Sequence, residues 1–123
     1  MNIYQNFNKS LENRFINYAK IDTQSDPESP TCPSTLKQKN LGKLLVEELL
    51  EIGINDAHID ENGYVYATIS STTEKTVPVI CFCSHMDTSP DCSGENVKPI
   101  IHDNYQGENL ILPDDNSIVI KLT

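Results

Sequence analysis

The chain has 123 residues, 37% hydrophobic and 22% charged, which is enough for one domain with a core and too little for two. Nine Lys and Arg stand against 18 Asp and Glu, a net charge of −9, so phosphate backbones and anionic lipid are repelled and neither nucleic acid nor a membrane is an expected partner. No run of about 18 apolar residues could span a bilayer, and Met1 to Lys20 lacks the apolar centre of a secretory signal, so a cytoplasmic location is expected.

The first element is a helix from about Asn8 to Lys20. Leu11, Phe15 and Tyr18 recur on one stripe, and Asn8 or Ser10 suits its cap. Asp22 to Ser34 is rich in Ser, Thr, Asp and Pro and reads as a loop. A second helix is expected from about 36 to 52, capped by Ser34 or Thr35. Its stripe is Leu41, Leu44, Leu45, Leu49 and Ile52, and Gly53 provides a left-handed stop. Asn62-Gly63 between Ala57–Asp60 and Tyr64–Ile69 is a hairpin signal, because that dipeptide accepts the positive backbone angles of a tight turn.

Val77 to Cys83 is an apolar run without alternation, as in a strand buried on both faces. Further strands are expected over Val97–His102, Leu110–Leu112 and Ser117–Leu122. This order of elements predicts an α/β fold, with helices packed on a mixed sheet. Cys32, Cys81, Cys83 and Cys92 have no oxidising compartment to pair in. Cys81 and Cys83 are expected to be buried, inert thiols, since no second ligand pair accompanies them at zinc spacing.

The stretch that carries chemistry is Ser84-His85-Met86-Asp87-Thr88-Ser89-Pro90-Asp91. It follows the expected buried strand, where functional groups gather in open α/β sheets. In extended chain His85 and Asp87 lean to one side. A zinc-binding imidazole needs an acceptor on its other ring nitrogen, and Asp87 is spaced to be that acceptor. By spacing alone, a solvated His and Asp in a loop explains the pair equally simply. His58 and His102 are expected to be surface or packing residues. Ser84 points away from His85 and is no nucleophile, and Asp114-Asp115 reads as a solvated turn.

The octet resembles the metal-ligand segment of the peptidase T family, tripeptide aminopeptidases within the zinc-dependent M20 metallopeptidases. Phe15-Ile16-Asn17-Tyr18 with Ile21-Asp22-Thr23-Gln24-Ser25, Pro33-Ser34-Thr35, Asp60-Glu61-Asn62-Gly63-Tyr64, and Asn96-Val97-Lys98-Pro99 with Asn104-Tyr105 are similar to family segments in the same order. The resemblance covers nearly the whole chain. It implies that residues 1–123 are an incomplete amino-terminal part of a zinc-peptidase catalytic domain. It makes His85 a ligand to one of two zinc ions and Asp87 the catalytic-site carboxylate that holds that imidazole. It implies a short peptide substrate with a free amino terminus.

The family's Gly-Ala-Asp-Asp and Glu-Glu motifs, its later aspartate, its final histidine and its dimerisation domain have no counterpart here. Only one zinc ligand is present, so the chain alone is expected to be inactive, and a homodimer would need the missing domain. Two other readings are a small non-catalytic binding protein derived from the fold, and a piece of another M20 hydrolase, a carboxypeptidase or deacylase.

Overall fold

The computed structural model describes residues 3–121, with side chains from Phe7 onward. Helix α1 spans Ile3–Ala19 and helix α2 spans Gln38–Glu51. Strands β1 (His58–Ile59) and β2 (Val65–Tyr66) form one antiparallel pair. Strands β3 (Leu110–Leu112) and β4 (Asp115–Ile120) form another. Among the described residues no helix is long and apolar enough to cross a membrane.

Helix α2 follows its expected stripe, but neither Ser34 nor Thr35 is its cap. Lys37 occupies that position, with no side-chain cap bond, because Thr35 is committed elsewhere: its hydroxyl donates to the Gln24 carbonyl at 2.8 Å. Gly53 has φ +94 and ends the helix as expected. Gly63 has φ +88 and makes the hairpin turn. There the Asp60 amide donates to the Tyr64 carbonyl and the Asp60 carboxylate accepts from the Tyr64 amide. The paired strands are shorter than Ala57–Asp60 and Tyr64–Ile69, though Thr68 still bonds across to the Asp56 carboxylate at 3.0 Å.

The core is small and sits between α2 and this hairpin. Leu41 and Ala57, each 8% exposed, are its buried apolar side chains. Gly42 is buried on the same face, with Ile59 Cδ1 only 2.5 Å from where a Cβ would stand. The missing side chain is what lets hairpin and helix approach so closely. Along α1, by contrast, Leu11 and Phe15 remain exposed. Only the carboxyl end of the stripe engages, through Tyr18.

Two sequence expectations are corrected. The single mixed sheet is instead two separate antiparallel pairs, plus one isolated parallel bridge between Gln24 and Thr88. Val77–Cys83 and Val97–His102 are not strands, and Val79 and Phe82 are 96% and 95% exposed. A strand buried on both faces requires neighbours on both edges and layers above and below, and the described residues supply none. Cys81 and Cys83 are consequently exposed, as are Cys32 and Cys92. β3 and β4 match the expected strands at Leu110–Leu112 and from Ser117. Leu122, the last residue of that expected strand, lies outside the described residues.

Candidate functional site

His85 and Asp87 meet as the spacing requires. Imidazole Nδ1 lies 3.1 Å from Asp87 Oδ1. An ionised carboxylate only accepts, so it selects the tautomer with hydrogen on Nδ1 and leaves the Nε2 lone pair free. The His85 side chain is 82% exposed and that of Asp87 40%. The donor set therefore fits one corner of a zinc site: an oriented imidazole with an outward-facing nitrogen. It does not fit a whole site. Among the described residues no group of three or more His, Cys, Asp or Glu could hold a metal ion, whereas catalytic zinc takes about three protein ligands. His58 stacks on Tyr66 at 5.4 Å, and Asp115 binds Ser117 within its own turn. Neither approaches His85 through a hydrogen bond.

A knot of polar groups fixes the segment that follows the pair. The Thr88 amide donates to the Thr23 carbonyl at 3.2 Å, and the Ser25 amide donates to the Thr88 carbonyl at 3.0 Å. The Ser25 hydroxyl donates to the same carbonyl. Gln24 Nε2 reaches the Pro90 and Cys92 carbonyls at 3.2 and 3.0 Å. Asp22 ties this loop to the second helix, accepting from the Gln24 amide at 3.0 Å and from Lys37 Nζ at 2.8 Å. Gly94 is required beside it, because a Cβ there would stand 2.8 Å from Asp22 Oδ1. Thr23, 2% exposed at the centre, is buried because both neighbours are pinned. Sequence reasoning read Asp22–Ser34 only as a polar loop. Nothing in the local pattern signals partners more than sixty residues away.

The Lys37 hydrogen bond, followed by that from the Gln24 amide, holds the Asp22 carboxyl below its ordinary value. A lowered folded pKa stabilises the folded arrangement above the unfolded value and loses that contribution as pH falls through the folded one. The contact between the 22–25 loop and Thr88–Cys92 is therefore expected to be constant from pH 8 to about 5 and to loosen below about 4. Amide exchange at Ser25 and Thr88 would report it. An Asp22→Asn variant should show the loosened exchange already at neutral pH, with little further change on acidification.

Behind the pair lies an open cleft of about 960 Å³, lined by Leu41, Leu45 and Leu49 of α2, by Val65 of the hairpin, and by Cys81–Asp87. Tyr18, Arg14 and Glu48 form its polar rim. Arg14 Nε is 3.3 Å from Glu48 Oε2, and the Tyr18 hydroxyl donates to the same oxygen. Burial, then the Glu48 hydrogen bond, pushes the Tyr18 hydroxyl up to about 12, so it stays a neutral donor in the physiological range.

No protein-family model matches the chain. Its curated relatives are informative. It is 56% identical over 107 residues to peptidase T of Clostridium acetobutylicum, an alignment covering 87% of this chain and 26% of that protein. It is 51% identical over 112 residues to peptidase T of Geobacillus kaustophilus, covering 91% and 27%. Peptidase T of Aliivibrio fischeri is 55% identical over 104 residues, covering 85% and 25%. The chain thus spans about a quarter of the length of the relatives it matches. With half its residues identical over almost its whole length, the chain belongs to the peptidase T family, of which it carries an amino-terminal portion.

Proposed function

We propose that residues 1–123 are the part of a zinc-dependent tripeptide aminopeptidase catalytic domain that contributes one metal ligand, His85, held in place by Asp87. The observation that carries this reading is the 3.1 Å contact between the two side chains, with the outer nitrogen left accessible. In a completed two-zinc site, the metal supplies a polarised carbonyl and a water of lowered pKa. Within this chain, Asp87 keeps the hydrogen on Nδ1, and the knot at Asp22, Gln24 and Ser25 keeps the segment in register with α2. The remaining ligands and the general base lie in the part of the relatives' length that this chain does not span. The peptide substrate, with a free amino terminus, and any homodimer contact belong to that completed assembly, in a cytoplasmic setting.

The test pairs two proteins. Residues 1–123 alone, with zinc added, are expected to release no amino acid from an unblocked tripeptide, because the metal pair and a base are needed together. A chimera is then made in which this chain replaces the matching stretch of the Clostridium acetobutylicum peptidase T. It is expected to release the first residue of the tripeptide, to spare the amino-acetylated form, and to stop on chelation. Hydrolysis by residues 1–123 alone, or an inert chimera that is folded and zinc-loaded, would overturn the reading.

A further inference from the structure

We propose that the open cleft and the bare segment Val77–Cys83 form a docking surface for a separate polypeptide carrying the portion of peptidase T that this chain does not span. The inference rests on the family assignment and not on the roles given to His85 and Asp87.

Three observations point to this occupant. The first is area. The chain exposes 10459 Å², whereas a compact monomer of its mass exposes about 6,600 Å². The excess, roughly 3,800 Å², is far more than the ~800 Å² per partner of a standard interface. A partner that covers it must be large and must enter the fold.

The second is the character of the uncovered surface. Val79, Ile80 and Phe82 are adjacent, exposed, and point to both sides of an extended backbone. The segment makes no backbone hydrogen bond to another segment among the described residues. Such an edge accepts strands by main-chain pairing and layers by apolar contact. The cleft beside it presents the uncovered face of α2. Edge and face together are the requirements of an interior strand, which only the rest of its own fold satisfies on both sides.

The third is charge and length. Each copy carries a net charge of −9, so a second copy of this chain is repelled from the same surface. The relatives are roughly four times as long as the matched stretch, so a complementary portion of suitable size exists in the family.

The experiment co-expresses tagged residues 1–123 with the part of the Clostridium acetobutylicum peptidase T that lies outside the matched stretch. The tagged material is sized by chromatography with light scattering and probed by thiol alkylation. A one-to-one complex is expected, with alkylation of Cys81 and Cys83 slowed at least tenfold and Cys92, which does not line the cleft, as the reference. A Val79→Asp, Phe82→Asp double variant should lose the complex. Both side chains are already solvent-exposed, so an unchanged far-ultraviolet circular dichroism spectrum of the free chain is expected alongside. Elution of residues 1–123 alone, self-association in place of the complex, or a complex with unprotected thiols would overturn the proposal. Because mass and thiol protection are read without hydrolysis, the complex can form where the proposed activity fails, and an active chimera can exist where the complex does not.

Discussion

Replacing His85 by Ala in the active chimera is expected to lower kcat/KM by about a thousandfold or more. The side chain is the one imidazole the chain places beside an orienting carboxylate. Losing a ligand forfeits the several kcal/mol of charge stabilisation that bound zinc provides. Asp87→Asn should behave differently. Asp87 acts through His85 as a positioning residue, so zinc affinity is expected to fall about 10- to 100-fold while bound zinc still supports turnover. Titration against a competing chelator separates the two: added zinc restores most of the rate to the Asp87 variant and none to the His85 variant. Full activity with His85→Ala would remove the histidine from the site. Equal, zinc-independent losses in both variants would reduce the pair to a structural contact.

Leu41→Ala is expected to remove most of the stability that residues 1–123 have by themselves. Leu41 is buried where α2 meets the hairpin, in a core whose other apolar member is the small Ala57. Leu-to-Ala substitutions in cores cost about 2–5 kcal/mol. The lower end applies here, because the open cleft beside Leu41 lets neighbours relax into the space. A loss of about 2 kcal/mol corresponds to a fall of roughly 1–2 M in urea midpoint for a chain of this size. Leu50, exposed on the far side of the same helix, is the control, and its replacement by Ala should stay within about 0.5 kcal/mol. Urea unfolding followed by circular dichroism decides it. Equal midpoints for the two variants would place the stabilising contacts elsewhere than between α2 and the hairpin.

Much of this molecule follows from its sequence alone. Periodicity located α2, Gly53 and Gly63 marked the two places where the backbone turns through positive φ, and the alternation of side chains put His85 and Asp87 on one side. These features depend on residues within a turn or a few positions of one another, so local sterics and hydrogen bonding decide them. Resemblance to peptidase T was likewise legible, because it rests on residue identity.

Three features depended on contacts between distant segments. Asp22, Gln24 and Lys37 form the knot that positions the His85 segment, across separations of up to 68 residues, and a polar loop carries no local mark of such partners. Thr35 was drawn from its capping role into the same knot. Val77–Cys83 has the composition of an interior strand, yet it stands exposed and unpaired. Composition records the environment a segment is suited to. Only tertiary structure shows whether the neighbours are there, because a strand is held by hydrogen bonds and apolar contacts that other segments must supply.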